Sequence, residues 1–177
     1  MKTVCLSVGH SVKDKGYYSN NKLLNEYELC LKFAESIKKK LDINGIRCFV
    51  INSLKDGGST GITGKIKAIQ KYYFDLLIEL HLNSFYKSSN NSEIFFKSNS
   101  NKSIEITDIL IKKFSEELKL NLIKKEINNN SIEGQILSDI EKPVILLKLF
   151  CIDNDSQLSY FLNNYNLFVN LIYKSLL

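Results

Sequence analysis

The sequence predicts an α/β fold, namely a three-layer αβα sandwich around a mostly parallel mixed sheet. Three observations predict it: strand-like runs alternate with helical stretches, the strongest strands are almost continuously apolar, and no repeat or linker divides the chain. The run DLLIELHL over residues 75–82 is typical of a parallel strand buried on both faces. The 177 residues are therefore predicted to form a single domain, residues 1–177.

The first half of the chain is predicted to contain three strands and two helices. Val4, Leu6 and Val8 alternate with Cys5 and Ser7, and this spacing of two predicts a strand over residues 3–8. The pattern then predicts a helix over 25–42, a strand over 46–51, a loop over 57–64, a short helix over 65–72 and a buried strand over 75–82.

The first helix carries a start signal and a stop signal. Asn25 followed by Glu28 is the pattern of an N-cap with a capping box, and Asn44-Gly45 is a helix end. Between them, apolar residues recur at helical spacing: Cys30, Phe33, Ala34, Ile37 and Leu41.

The second half continues the alternation. It is predicted to contain a strand over 93–97, a helix over 104–120, irregular chain over 121–140, a buried strand over 144–150 and a terminal helix over 155–177. The loop between the strands at 75–82 and 93–97 is polar, over 83–91.

Composition excludes several classes of protein. The net charge is +5, but Arg47 is the only Arg, so the Arg clusters that read nucleic acid are missing and we expect no nucleic-acid partner. No apolar run is long enough for a stable membrane insertion, and the start of the chain lacks the apolar core of a secretory signal. The four Cys are widely spaced within apolar stretches and predict buried free thiols.

Two histidines and a glutamate are the candidate site. His10 and His81 are the only His in the chain, and each follows or ends a predicted strand, while Glu26 lies in the first turn of the first helix. Ligands of parallel sheets gather at the carboxyl ends of strands. Two neutral imidazoles and one carboxylate suit a catalytic Zn²⁺ whose fourth position is taken by water.

Each of these residues also has an ordinary structural explanation. A His at a strand end commonly serves as a hydrogen-bonded structural residue, and a Glu in the first helical turn stabilises the helix dipole. A plain α/β domain without a metal therefore stays as an alternative. It would require both His of the chain to occupy ligand-like positions by coincidence.

Five segments, in order, carry a resemblance to a known family. They are VGHS at 8–11, NEYE at 25–28, DLLIELHLNS at 75–84, SEIFF at 92–96 and PVILLKLFCIDN at 143–154. This sequence resembles the zinc-dependent N-acetylmuramoyl-L-alanine amidases, and it is particularly similar to the catalytic domains of clostridial phage endolysins. The resemblance spans essentially the whole chain, with the loosest match in the last segment.

The resemblance implies a chemistry and a set of roles. It implies one zinc ion and cleavage of the amide between the lactyl group of N-acetylmuramic acid and L-alanine in peptidoglycan. The implied zinc ligands are His10, Glu26 and His81. Glu79 faces the same side of the strand as His81 and is expected to orient it or to be a buried acid. Asn83 is expected either to line the substrate groove or to be a turn residue.

One position departs from the family. The amidases that this chain resembles end their last buried strand with a Glu, which acts as general base or proton shuttle, and Lys148 stands there instead. Loss of that carboxylate is worth about 10²–10⁴-fold in rate. Lys148 could replace it as a deprotonated base or, when charged, stabilise an oxyanion. Asp153, in the following loop, is the other candidate substitute.

Two main functions follow from this departure. The first is an active peptidoglycan amidase in which Lys148 is tolerated or has a new role. The second is a catalytically impaired relative that keeps zinc and acts as a binding or regulatory module at the cell wall. A deliberate inactivating substitution is a third explanation of Lys148.

The resemblance also implies a partner and a location. The partner is bacterial peptidoglycan, and the mild positive charge would favour anionic wall polymers. Without a signal peptide, the protein is expected to stay cytoplasmic until released and then to act at the wall. Endolysins usually carry a separate wall-binding domain, and none is recognised after the terminal helix. The oligomeric state is left open.

Overall fold

Strands and helices alternate along the protein, as seen in a computed structural model that describes residues 1–52, 62–85, 92–127, 134 and 137–177. For residues 62 and 63 it describes the backbone alone. The strands are β1 (Thr3–Val8), β2 (Arg47–Ile51), β3 (Leu76–Asn83), β4 (Ser92–Phe96), β5 (Leu122–Glu126) and β6 (Val144–Cys151). The helices are α1 (Glu26–Ile43), α2 (Ile62–Gln70), α3 (Asn101–Leu118), α4 (Asp155–Asn163) and α5 (Tyr165–Ser175).

The strands form one mixed sheet in the order β2–β1–β3–β6–β4–β5. Strands β2, β1, β3 and β6 are parallel to one another, whereas β4 pairs antiparallel with β6 and parallel with β5. The prediction of a mostly parallel mixed sheet with helices on both sides is confirmed. The carboxyl ends of β1, β3 and β6, the three central parallel strands, consequently meet at one edge of the sheet.

Each face of the sheet has its own apolar core. On one face, Leu6, Ile78 and Leu147 pack with helices α1, α3, α4 and α5. On the other face, Leu77 and Leu146 pack with α2. Residues along a strand alternate between the two faces of the sheet. Residues of β3 and β6 that are paired in register therefore place their side chains on the same face.

Two predictions along the chain are wrong. The region 121–140 was expected to be irregular, but it contains β5, an edge strand whose sequence LIKKE buries only Leu122. Charged edge strands lack the alternation that identifies a strand. The terminal helix predicted over 155–177 is broken at Asn164, whose ψ of 15° and side-chain hydrogen bond to Tyr160 O end α4 before α5 begins.

Other boundaries differ in smaller ways. Helix α2 begins at Ile62, inside the predicted loop, and ends at Gln70. The predicted loops over 57–64 and 83–91 lie mostly outside the described residues. Asn25 caps α1 by accepting from the backbone N–H of Glu28 at 2.9 Å, but the Glu28 carboxylate pairs with Lys15, so the predicted capping box is only half formed.

The cysteines are buried free thiols, as predicted. Burial raises the pKa of Cys48 to about 12 and raises that of Cys30 well above its ordinary value. Within the described ranges, none of the helices combines the length and the apolar character needed to cross a bilayer.

Candidate metal centre

The three predicted ligands meet at the carboxyl edge of the parallel strands. His10 follows β1, His81 lies near the end of β3, and Glu26 is the first residue of α1. The backbone N–H of Gly9 donates to Leu80 O at 2.9 Å and joins the chain before His10 to β3. One ligand atom from each of the three residues lies within 4.8 Å of the others. The order and direction of the strands thus bring together three residues that are far apart in the sequence.

Glu26 lies at the centre of this cluster. Its Oε2 is 3.0 Å from His10 Nε2, and its Oε1 is 3.0 Å from His81 Nδ1. Two backbone N–H groups also donate to the carboxylate, Leu82 to Oε1 at 2.9 Å and Tyr17 to Oε2 at 3.2 Å. Glu26 is fully buried. Four donors therefore fix the position of this carboxylate between the two imidazole rings.

The charges of the three residues depend on one another. Burial disfavours the charged carboxylate of Glu26, but hydrogen bonds from His10 and His81 outweigh burial and lower its pKa. Burial likewise opposes charge on His81, but Glu26 and Glu79 raise its pKa to about 8. The pKa of His10 is raised in the same way, burial being outweighed mainly by Glu26. The Glu26 carboxylate and the two imidazoles therefore favour one another's charged forms.

The donor set fits a zinc ion. Zinc bonds to His and Glu are about 2.0–2.2 Å long, so tetrahedral ligand atoms lie about 3.3 Å apart. The contacts of Glu26 with His10 and His81, both 3.0 Å, are shorter than this separation. The 4.8 Å within which the three ligand atoms lie of one another is longer than it. Among the described residues, the cluster consists of these three, which is the number of protein ligands typical of a catalytic zinc site. The cluster could therefore hold such an ion.

An acidic residue contacts the second nitrogen of His10. The Nδ1 atom of His10 is 3.2 Å from Asp14 Oδ2. The other oxygen of Asp14, Oδ1, accepts a hydrogen bond from Gly16 N at 3.1 Å. Asp14 was not predicted from the sequence, because it lies in a polar loop with no periodic pattern. The spacing of four from His10 is the one signal that could have indicated it.

A buried ion pair contacts the second nitrogen of His81. Glu79 Oε1 lies 3.4 Å from His81 Nε2 and pairs with Lys65 Nζ from α2. Glu79 was predicted from its position two residues before His81. Lys65 was not predicted, since nothing in the sequence indicates that α2 places this side chain against β3.

The backbone around His10 is unusual. His10 has a φ of 63°, in the left-handed region that few non-glycine residues adopt. A Cβ on the preceding Gly9 would lie 2.3 Å from His81 Cε1, so only glycine lets the chain pass so close to that ring. Such strain persists where the surrounding structure requires it, often at functional sites.

Gly16 gives a prediction with a matched control. Its φ is +70°, and a Cβ there would lie 2.6 Å from both Glu26 Oε2 and His10 Cδ2. Gly45 has a φ of +80° with nothing within 4 Å of such a Cβ. We expect Gly16→Ala and Gly45→Ala each to cost about 1–2 kcal/mol in unfolding free energy. Only Gly16→Ala should also weaken zinc binding, about tenfold or more.

Urea unfolding and a zinc titration of both variants measure these effects. Equal zinc affinity in the two variants would show that the close approach of Gly16 does not shape the cluster.

Lys148 lies on β6, on the same face of the sheet as His81. In register, it is opposite His81 of β3 on one side and Glu93 of β4 on the other. Its Nζ is 5.7 Å from the centre of the Phe95 ring. Phe95 is itself opposite Leu146, so the ammonium leans away from the carboxyl end of β6. The position that the resemblance gives to a carboxylate is thus adjacent to His81.

Two further predicted residues have structural partners. Asn83 is buried at the end of β3, and its Nδ2 donates to Glu93 Oε2 at 3.4 Å. Asp153 accepts from Ser84 Oγ at 2.5 Å and from Phe85 N at 2.6 Å. Both oxygens of Asp153 are therefore used to fix the chain after β3, which does not favour it as a substitute for the missing carboxylate.

Comparison with known proteins identifies the family and the fold. The model of the N-acetylmuramoyl-L-alanine amidase family matches residues 4–177. The catalytic domain of the CD27L endolysin, described as targeting Clostridia difficile, is 22% identical, with 99% of this chain and 96% of that chain covered and a TM-score of 0.80. None of the curated proteins compared with the chain matches it.

Two other solved structures are similar over the same length. An N-acetylmuramoyl-L-alanine amidase from Clostridium difficile 630 is 20% identical, covering 99% of this chain and 94% of that chain, with a TM-score of 0.80. The CwlD amidase from Clostridioides difficile, solved in complex with the GerS lipoprotein, is 17% identical, covering 99% and 96%, with a TM-score of 0.78. At these identities the similarity establishes a shared fold.

Proposed function

The chain belongs to the N-acetylmuramoyl-L-alanine amidase family, and on this premise we propose that it hydrolyses the amide between the lactyl group of N-acetylmuramic acid and L-alanine in peptidoglycan. The observation that carries the proposal is the convergence of His10, Glu26 and His81 within 4.8 Å. These are the ligands that the family resemblance implies, and they include both His of the chain.

In the proposed mechanism, His10, Glu26 and His81 would hold a zinc ion. When bound, zinc supplies a Lewis acid and a water whose pKa is lowered to about 7. In the hydrolysis, one water adds its oxygen to the scissile carbonyl carbon, the C–N bond breaks and a proton from that water goes to the leaving nitrogen. The products are a lactyl carboxylate and the free amino group of L-alanine. Asn83 follows His81 at the end of β3, and we assign it to the border of the substrate groove.

A second candidate function is binding without efficient hydrolysis. The observation that favours it is Lys148, an ammonium group on the strand position opposite His81. A charged Lys has no lone pair with which to accept the proton of the attacking water. The zinc ligands and the groove would then serve recognition of the wall, in a catalytically impaired relative of the amidases.

Hydrolysis of purified peptidoglycan distinguishes the two functions. Protein loaded with one equivalent of zinc is incubated with cell walls, and newly formed amino groups of L-alanine are quantified by N-terminal labelling. An amidase releases them, loses activity with a chelator and regains it with zinc. Co-sedimentation with walls in the absence of product supports the binding function. A chain that neither binds zinc nor forms product contradicts both.

Zinc affinity is expected to rise steeply with pH. Zinc binds the neutral form of an imidazole. Burial lowers the pKa of His81, but Glu26 and Glu79 outweigh burial and raise this pKa to about 8. The neutral fraction of such a group rises about 50-fold between pH 6 and pH 8. Competition with a chromophoric chelator should show a similar change in the dissociation constant. An affinity that is constant over this range would contradict the assignment of His81 as a ligand.

The stability of the metal-free protein is expected to change in the opposite direction. A pKa raised to about 8 means that His81 stabilises the folded state fully below its unfolded value of about 6.5 and loses this contribution as pH rises through 8. The loss is at most about 2 kcal/mol. Urea unfolding with a chelator at pH 6 and pH 8.5 measures it, and greater stability at pH 8.5 would contradict a charged His81.

A further inference from the structure

A buried ion pair, Lys65–Glu79, lies directly beside His81. The side chain of Lys65 is 11% exposed and that of Glu79 is 5% exposed, and the pair joins α2 to β3. Glu79 Oε1 also lies 3.4 Å from His81 Nε2. One carboxylate oxygen therefore contacts both the ammonium of Lys65 and the imidazole of His81.

The ammonium of Lys65 also reaches the other histidine segment. Its Nζ donates to Val8 O at 2.7 Å, two residues before His10. Strand β1 and strand β3 are neighbours in the sheet, and Ser7 is opposite Glu79 in register. Lys65 thus connects α2 to the ends of the two strands that present His10 and His81.

The second oxygen of Glu79 indicates that the pair does more than stabilise the fold. Glu79 Oε2 is buried and has no hydrogen-bond partner among the described residues. A buried acceptor without a partner is costly, and a salt bridge buried in this way is often no more stabilising than apolar residues of the same volume. Stability alone therefore gives little reason for a charged pair at this position.

We propose that Glu79 is a positioning residue. Its carboxylate accepts a hydrogen bond from the N–H at Nε2 of His81 and so leaves Nδ1 of that ring available as a metal ligand. The nitrogen left available is the one that lies 3.0 Å from Glu26. Lys65 holds the Glu79 carboxylate in place. Carboxylates that orient a ligating His in this way commonly raise metal affinity 10–100-fold. The inference rests on the proposed function, because it takes His81 as a ligand.

Glu79 is not the missing general base in this assignment. Its Oε1 is already engaged by Lys65 and His81, and the side chain is almost completely buried. A general base must reach the proton that it removes from the attacking water, directly or through one further water. The role of Glu79 is to fix one tautomer of His81.

Glu79→Gln tests the proposal, with Glu93→Gln as a matched control. Glu93 is also a buried glutamate on the same face of the sheet and is paired with a lysine, Lys125, but no contact joins it to His10 or His81 among the described residues. Zinc affinity is measured by chelator competition. We expect Glu79→Gln to raise the dissociation constant about 10–100-fold and Glu93→Gln to leave it unchanged.

The tautomer of His81 gives a readout that a purely structural role would not change. Because the chain contains only two His, ¹⁵N-histidine labelling gives two rings, which His10→Ala assigns. We expect the zinc-loaded wild-type protein to carry the His81 proton at Nε2. In Glu79→Gln, the amide N–H₂ can donate to Nε2 and favour the tautomer protonated at Nδ1.

The outcomes separate this inference from the proposed function. Wild-type protein that binds no zinc contradicts the proposed function. Wild-type protein that binds zinc with the His81 proton at Nδ1 overturns the positioning role, even if Glu79→Gln fails to fold. Equal zinc affinity of Glu79→Gln and Glu93→Gln overturns it as well.

Discussion

Lys148→Glu is expected to raise the rate of peptidoglycan amide hydrolysis by about 10²–10⁴-fold, the usual worth of general acid–base help. Position 148 is opposite His81 in the parallel pairing of β3 and β6, so its side chain shares a face with a proposed zinc ligand. A carboxylate there can accept the proton of the attacking water and deliver it to the leaving nitrogen. The rate of amine release from purified walls measures the change.

The environment of position 148 sets a condition on this gain. Glu93 is opposite Lys148 on the other side, so the substitution places two carboxylates on adjacent strands. Like charges opposite one another destabilise a sheet by about 0.2–1 kcal/mol and raise the pKa of one partner. We therefore expect the acid limb of the pH–rate profile of Lys148→Glu to move to lower pH when Glu93→Gln is added.

Lys148→Gln is the control for loss of the ammonium alone. It removes the positive charge near His81 without adding a proton acceptor. If Lys148→Glu is no faster than Lys148→Gln, the missing carboxylate does not limit the reaction. Wild-type activity already equal to that of Lys148→Glu would instead show that another group on this chain performs the proton transfer.

The residues of the cluster could be predicted because they depend on topology. His10 and His81 lie near the ends of strands whose alternation or apolar character is strong, and Glu26 begins a well-capped helix. Parallel strands bring their carboxyl ends to one edge. Once the strands and their directions are predicted, the three side chains must lie near one another, although the distances between them need a structure.

The parts that could not be predicted depend on tertiary contacts. Lys65 is one of many lysines, and only the packing of α2 on the sheet brings it to Glu79 and Val8. Strand β5 is charged along most of its length, and its pairing with β4 identifies it. The break at Asn164 lets Phe161 and Phe168 pack edge to face at 4.9 Å, a contact that helical periodicity does not indicate.

Glu26 and Glu79 are two buried carboxylates that contact opposite nitrogens of His81. Glu26 has donors on both oxygens, and two of those donors are the imidazoles that would share a metal with it. Glu79 has its ion pair on one oxygen and contacts the far side of one imidazole. Burial alone would raise the pKa of both carboxylates, but their neighbouring cations outweigh burial. The pKa of Glu26 is therefore lowered, and that of Glu79 is lowered to about 2. Only Glu26 faces both rings.

Glu26→Gln is therefore expected to remove zinc binding and, with it, hydrolysis. The substitution replaces one carboxylate oxygen with an N–H₂ group, which cannot accept a hydrogen bond. The backbone N–H of either Tyr17 or Leu82 therefore loses its acceptor. We expect the free energy of unfolding to fall by about 1–3 kcal/mol for that donor. Metal content per chain and urea unfolding measure the two effects.

Glu28→Gln separates the metal site from an ordinary helix effect. Glu28 lies in the same first turn of α1 and also interacts with the helix dipole, but its side chain is 59% exposed and pairs with Lys15 rather than with the histidines. The exposed pair is worth about 0–1 kcal/mol, and its loss should leave zinc content unchanged. If Glu26→Gln retains a full equivalent of zinc, Glu26 is a buried helix-stabilising acid, and the alternative of a domain without this metal centre gains support. Loss of zinc in Glu26→Gln alone assigns the carboxylate to the ion, because the position in the first helical turn and the change of charge are then controlled by the variant two residues away.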